Sequence, residues 1–304
     1  MPVGARNSAA GLRIAHIAYL RMNYRHAFHA GNFADAFKHT ILIGLLDALK
    51  QKPAPFCYFD THAGAGSYDL RGAQAEKTAE AAEGVLRLLD VKSPPHFLRD
   101  YLDLLRSLNP AAIGNELAHY PGSPLIATSL LRETDRAVLC ELQPDEAAQL
   151  KTLFAHDARV GVHQRDGYAA LGALVPPKER RGLVLIDPPF EAQDDEFRAI
   201  EAALATAYSR WPTGIYATWY PIKLREQTRP FHRWFAAHKV SKTLVVELLR
   251  KPDDSALRLN GCGMVIVNPP WQFDQHLRRL MPVLQDRLKV SGPGQVRLDW
   301  LTRE

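Results

Sequence analysis

Apolar residues recur in steps of four at Phe33, Phe37, Ile41, Leu45 and Leu49, which predicts an amphipathic helix over Phe33–Lys50. The short apolar run 56–59 ends in Asp60 and predicts a buried strand, followed by the loop THAGAG. Between residues 72 and 117 the pattern changes. Ala-, Glu-, Leu- and Arg-rich stretches flank Ser93-Pro94-Pro95, which predicts two or three helices inserted as a small subdomain, closed by a turn at 121–124. Strands then alternate with helices. Strands are expected at 136–140, 160–163, Gly182–Ile186, 214–219, Thr243–Leu249 and 264–267. Helices are expected at 144–155, with Pro144 in the first turn, then at 194–210, 223–238 and 274–288.

Such alternation implies an α/β fold whose mostly parallel sheet is covered on both faces. Residues 22–71 and 118–304 then form one core, and 72–117 the helical insertion. Ligands of these sheets sit beyond the carboxyl ends of the strands. Asp60, Glu141, Asp166 and Asp187 each fall at or just past such an end, so four strands deliver an acid to one rim.

Composition narrows the class. The 304 residues are 46% hydrophobic and 23% charged, ordinary for a chain with a sizeable core, which excludes disordered and fibrous classes. No apolar run reaches the roughly 18 residues that span a bilayer. Cys57, Cys140 and Cys262 lie far apart without a CxxC pair, which argues against a disulfide framework or a cysteine zinc site and fits a reducing cytoplasm. The formal charge of +5 permits a polyanionic partner without requiring one. No acid precedes Asp35, whereas Arg6, Arg13, Arg21 and Arg25 do. Met22 opens the patterned segment, so residues 1–21 read as an N-terminal extension, with a transit peptide or a basic arm as alternatives.

The rim carries the chemistry. Gly64 and Gly66 follow the first strand directly, where glycine lets backbone approach a ligand. Asp60 stands before them. Glu141 at the next strand end suits ribose hydroxyls, and Asp166 with Gly167 suits an adenine edge. The Walker GxxxxGK[ST] pattern is missing, which argues against a P-loop NTPase. Asp187-Pro188-Pro189-Phe190 is the most specific feature. It is similar to the [DN]-P-P-[FYW] turn of adenosylmethionine-dependent methyltransferases that act on exocyclic amines. Such an amine is a poor nucleophile until its hydrogens are bonded. Asp187 supplies a carboxylate, the prolines fix φ and offer no competing amide hydrogen, and Phe190 offers a stacking face for an unstacked base. Asn268-Pro269-Pro270-Trp271 also follows an apolar strand and is a competing candidate. Asp187 is preferred because it sits on the fourth strand from the glycine loop, one helix-strand unit after Asp166. The segment 24–39, rich in His and aromatics, lacks the spacing of a metal-ligand set, and Tyr24, Arg25 and Lys38 suit base stacking and phosphate contact better.

Eight blocks in order, YRHAFHAGNFADAFKH, YFDTHAGAGSY, YPGSPLIA, CELQPDE, RDGYAAL, LIDPPF, GIYATWYPI and GMVIVNPPW, resemble the RlmJ family of bacterial 23S ribosomal RNA adenine-N6 methyltransferases, over nearly all of 22–304. The resemblance implies a Rossmann-like class I methyltransferase core with a helical insertion. It also implies S-adenosyl-L-methionine as cofactor and adenine 2030 of 23S rRNA, in Escherichia coli numbering, as target. Asp187 is then the catalytic proton acceptor. His39, His62, Ser123, Glu141, Asp166 and Gly167 line the cofactor site with Lys38 nearby, and Tyr24 meets the RNA. Phe190 departs from the family's usual Tyr, which keeps stacking but loses the hydroxyl. The expectation is a monomeric cytoplasmic enzyme that binds no metal and no membrane. The rivals are an enzyme acting on adenine in DNA or on a protein glutamine, and a non-catalytic nucleic-acid-binding protein.

Overall fold

A computed structural model of the chain describes residues 29–71, 80–110, 116–190, 193–254, 256–290, 292 and 294–303. The extension 1–21 and Tyr24 lie outside these residues. The helices are α1 (Phe33–Lys50), α2 (His96–Leu108), α3 (Ser123–Leu130), α4 (Pro144–Leu153), α5 (Gly167–Leu174), α6 (Gln193–Arg210), α7 (Arg225–Ala237) and α8 (Phe273–Leu288). The strands are β1 (Cys57–Asp60), β2 (Ser67–Asp69), β3 (His119–Pro121), β4 (Arg136–Glu141), β5 (Val160–Gln164), β6 (Gly182–Ile186), β7 (Ile215–Ile222), β8 (Thr243–Leu249), β9 (Gly261–Val267) and β10 (Gln295–Thr302).

Eight strands form one sheet in the order β10-β8-β9-β7-β6-β1-β4-β5, and β2 and β3 pair separately. The run β5-β4-β1-β6-β7 is parallel. β9 enters antiparallel between β7 and β8, which gives β8 the direction of the parallel strands. β10 closes the edge antiparallel to β8. β1, β6, β8 and β9 are buried at every position, as expected of strands covered on both faces. One face packs against α1, α2 and α8 through residues such as Phe37, Leu45, Phe97, Leu102, Leu277 and Leu284. The other packs against α5, α6 and α7 through Leu171, Phe197, Ile200, Phe231 and Phe235.

The structure refines the sequence reading at three points. First, α1 has the expected ends but is not amphipathic in effect. Asp35, Lys38, His39 and Thr40 are buried along with its apolar residues, because the sheet, α2, α3 and the inserted turns enclose it. Second, the described part of the insertion contains one α-helix, α2, and two 3₁₀ turns, Glu80–Glu83 and Val85–Leu88. The turns break at Gly84, where the chain is drawn onto the entry to α1 by the bond from Val85 N to Gly31 O (2.8 Å). The apolar stripe of α2 (Phe97, Leu98, Tyr101, Leu102, Leu105) joins the same core as α1. Third, α3, β2, β3 and β10 are additional elements, and α5 is the helix of the helix-strand unit expected after Asp166. Pro124 falls in the first turn of α3, so the expected 121–124 turn is the entry to a helix.

Candidate active site

The order of strands reverses at β1. The chain leaves β1 towards β4 and β5, then returns to β6 on the other side. Connections after β1 and β6 therefore cross opposite faces of the sheet, and a crevice opens above their carboxyl ends. Asp60 ends β1, Asp187 follows β6, and the two strands are in direct register, Asp60 opposite Leu185. Thr61 N extends this ladder by donating to Leu185 O (3.1 Å).

At that crevice α1 delivers Lys38. Its Nζ donates to Asp187 Oδ2 and to Asp35 Oδ1 (3.0 Å). Asp35 is itself fixed, its Oδ2 accepting from Gly31 N (3.0 Å) and its backbone N donating to Asn32 Oδ1 (2.9 Å), the helix cap. Burial opposes the charge on Lys38, but the two carboxylates outweigh it and raise the pKa above the usual lysine value. The ammonium stays protonated and occupies one oxygen of Asp187. Oδ1 makes no hydrogen bond with the described residues. Pro188 is buried, and Phe190 adopts φ +50°. A non-glycine residue held there costs about 1–3 kcal/mol, and such strain gathers at functional sites. The ring of Phe190 stands edge-on to Phe197 (5.3 Å) and to Trp219 (5.7 Å), and Trp219 in turn lies 6.0 Å from Lys38 Nζ.

The remaining rim residues fall into two layers. Glu141 Oε2 accepts from Gly64 N (2.8 Å) and Oε1 from Gln143 N (2.7 Å), so the loops after β1 and β4 meet on this carboxylate. Gly64 has φ +61°, a conformation that suits glycine. Burial pushes the Glu141 carboxyl up to about 7, with the two amide bonds acting against it. Asp166 caps α5, accepting from Tyr168 N (2.8 Å) and Ala169 N (3.1 Å). The His62 ring packs edge-on to Tyr168 (5.0 Å), and burial lowers its pKa to about 4, so it is neutral at pH 7. Asp60 and His39 lie deeper. Asp60 is fully buried, its carboxylate accepting from Tyr58 OH (2.6 Å), Ser123 Oγ (2.7 Å) and His62 N (3.2 Å). It braces the rim from beneath, with burial raising its pKa to about 6. His39 Nδ1 bonds Tyr120 OH (2.8 Å), which bonds Tyr101 OH (2.8 Å) from the insertion.

Gly167 shows how closely the rim is packed. A Cβ on it would lie 2.0 Å from the Thr61 carbonyl oxygen, against 3.6 Å to Thr206 Cγ2 for one on Gly172 of the same helix. Gly167→Ala is expected to destabilise the fold by about 3 kcal/mol in urea titrations, the upper part of the overpacking range. Gly172→Ala should be neutral or stabilising, since Ala is favoured over Gly within a helix by up to about 1 kcal/mol.

The second proline turn is resolved by strand direction. β9 is antiparallel, with Val267 opposite Tyr216 at the start of β7, so Asn268 lies on the edge opposite Asp187. Asn268 Nδ2 donates to Pro212 O and Gly214 O (both 2.8 Å) and ties the α6–β7 connection to the end of β9. The sequence reading missed Asp35 and Trp219. Asp35 carried a signal in its three-residue spacing from Lys38. Trp219 carried one in the aromatic density of IYATWYPI.

Among the described residues no group of three or more His, Cys, Asp or Glu could hold a metal ion, and no helix is long and apolar enough to cross a membrane. A sheet of this order, with acids on consecutive strand ends and an acid-proline-proline turn at the switch point, defines a Rossmann-like methyltransferase, a class that uses S-adenosyl-L-methionine generally. The family model "Ribosomal RNA large subunit methyltransferase D, RlmJ" matches residues 53–302, and the chain belongs to that family. It is 41% identical to ribosomal RNA large subunit methyltransferase J of Escherichia coli K12 and 42% identical to that of Haemophilus influenzae. Both comparisons span 283 residues, 93% of this chain and 100% of the relative. A crystallised protein of Legionella pneumophila shares the fold with a TM-score of 0.81 and 36% identity, over 90% of this chain and 98% of that one.

Proposed function

We propose that this chain transfers a methyl group from S-adenosyl-L-methionine to N6 of one adenine in 23S ribosomal RNA, the adenine that the family resemblance singles out. The observation that carries the reading is the presentation of Asp187: one oxygen bound by Lys38, the other without a hydrogen bond among the described residues, beside Phe190 and Trp219 at the switch point of the sheet.

The rim suits the cofactor's chemistry. Glu141 offers a carboxylate to vicinal ribose hydroxyls, Gly64 brings bare backbone close beside it, and the adenine edge is assigned to the Asp166-Gly167 turn at the next strand end. S-Adenosyl-L-methionine supplies, when bound, an electrophilic methyl group on a sulfonium sulfur. Lys38 holds Asp187 in one orientation through Oδ2. Asp187 Oδ1 accepts a hydrogen bond from the N6 amino group and turns the nitrogen lone pair out of conjugation with the ring. The peptide at Pro188-Pro189 has no amide hydrogen to compete for that bond and leaves a carbonyl for the second amino hydrogen. As nitrogen forms its new bond to carbon, its surplus proton passes to the Asp187 carboxylate. Phe190 stacks against the base, with Trp219 edge-on behind it, and offsets the cost of taking the base from its helix. Most of the rate then comes from orientation and fixed charge.

The titration of Glu141 tests the cofactor assignment. A carboxylate accepts stronger hydrogen bonds than its protonated form. Burial has raised the Glu141 carboxyl to about 7, so protonation below that value weakens the grip on ribose. Cofactor affinity measured by calorimetry is expected to rise between about pH 6 and pH 8. Glu141→Gln should bind at least about tenfold more weakly and flatten the profile, about 1.4 kcal/mol for a charge-assisted bond. An unchanged profile in the variant removes Glu141 from the cofactor site. Substrate class is tested by offering 23S rRNA, genomic DNA and release-factor protein side by side. Methyl incorporation into DNA or protein but not RNA contradicts the reading.

A further inference from the structure

Away from the crevice, α7 and β10 enclose an open groove of about 550 Å³ lined by Arg225, Arg229, His232, Arg233, Ala236, Arg297 and Leu301. Arg225, Arg229 and Arg233 are spaced at i, i+4 and i+8, so the three guanidinium groups share one stripe of the helix, with a rise of about 6 Å between successive ones. Like charges at this spacing destabilise a helix, by about 0.2–0.5 kcal/mol per pair. Arg229 and Arg233 are exposed and form no ion pair with the described residues.

The base of the groove is built to hold the other two arginines. Glu247 on β8 is fully buried and lies between Arg225 Nε (3.4 Å) and Arg297 Nη1 (3.7 Å). Tyr220 OH donates to Glu247 Oε1 (3.0 Å) and meets His232 Nε2 (2.9 Å), and Arg297 Nη1 meets His232 Nδ1 (3.2 Å). Burial and the neighbouring Arg297 lower the His232 pKa to about 4, so the ring is a neutral strut. Glu247 and Asp299, which bonds Arg297 Nε (2.8 Å), offset the charge of Arg225 and Arg297 in part. They do not offset Arg229 and Arg233.

α7 begins three residues after β7, on the rim that carries Asp187, and runs back along the sheet from there. The stripe therefore leads away from the reacting base. We infer that the groove between α7 and β10 is a docking track for the phosphate backbone of the RNA that flanks the target adenine. Evenly spaced, uncompensated guanidinium groups on a helix match a polyanion with regularly spaced charges, and they read no bases. The inference rests on the proposed RNA substrate and deepens it.

The test compares the full-length protein with Arg229→Ala/Arg233→Ala. Both side chains are exposed, so the fold should survive, and neither is part of the crevice. A control pair, Lys52→Ala/Lys178→Ala, removes equal charge at the opposite edge, before β1 and β6. Binding of 23S rRNA is measured against salt, and methylation kinetics against RNA concentration. The groove pair is expected to raise Kd and KM on the order of tenfold, leave kcat unchanged, and lower the slope of log K against log salt by about 2, while the control pair does far less. Arg229→Lys/Arg233→Lys should recover most of the affinity, which a purely structural role would not predict. Equal Kd, KM and slope for the groove pair and wild type overturn the inference, as does a loss no larger than that of the control pair. A wild-type protein that methylates no RNA, yet binds cofactor, instead overturns the substrate reading on which the track rests.

Discussion

Asp187→Ala is expected to lower methyl transfer by about 10²- to 10⁴-fold, the range for removing a positioned proton acceptor, while cofactor binding stays within a few-fold of wild type. The carboxylate is 15% exposed and lies past the end of β6, so its loss leaves the sheet intact. What disappears is the oxygen assigned to accept from the amine. Asp187→Asn keeps an acceptor oxygen but cannot take the proton and loses the ion pair to Lys38, so it should retain a small part of the activity. Single-turnover rates with saturating RNA, together with cofactor titrations by calorimetry, separate these outcomes. An Asp187→Ala protein with wild-type rates contradicts the catalytic assignment.

Lys38→Met should be the most destabilising of the polar substitutions at the site. Lys38 is 6% exposed and bridges Asp35, 2% exposed, to Asp187. Methionine fills much of the same volume but leaves two neighbouring carboxylates without their shared cation. Breaking a buried pair by removing one partner costs about 3–5 kcal/mol. The loss is expected in urea denaturation at neutral pH with an unchanged m-value. Transfer should fall as well, because nothing then fixes the orientation of Asp187. The double variant Lys38→Met/Asp35→Asn removes one of the stranded charges and should recover part of the stability. A loss below about 1 kcal/mol for Lys38→Met would mean that the pair is no more than a surface contact.

The strand ends were legible because a strand buried on both faces reads as an apolar run, and the polar residue that stops the run marks the rim. Asp60, Glu141 and Asp187 were placed in this way, and α1, β6 and β8 have the ends their patterns predict. Direction was not legible. LIDPPF and VIVNPPW look alike, and only the antiparallel pairing of β9 with β7 sends Asn268 to the far edge. Depth was also hidden. Asp60 and Asp187 both follow apolar strands, yet hydrogen bonds from Tyr58 and Ser123 draw Asp60 inward, and Ser123 is 63 residues away. The Lys38–Asp187 pair joins residues 149 apart, so no local pattern could reveal it. β10 carried a period-two alternation of Val296, Leu298 and Trp300 with Arg297 and Asp299, but nothing in it named β8 as its partner.

The central claim is that this chain methylates N6 of a single adenine in 23S rRNA. The most direct test is transfer of tritiated methyl from S-adenosyl-L-methionine to 23S rRNA purified from a strain lacking this gene, with the product nucleosides resolved and the site mapped. The account predicts label in N6-methyladenosine at one position, absent with Asp187→Ala. Label in another nucleoside, or no label from a protein that binds the cofactor, would contradict it.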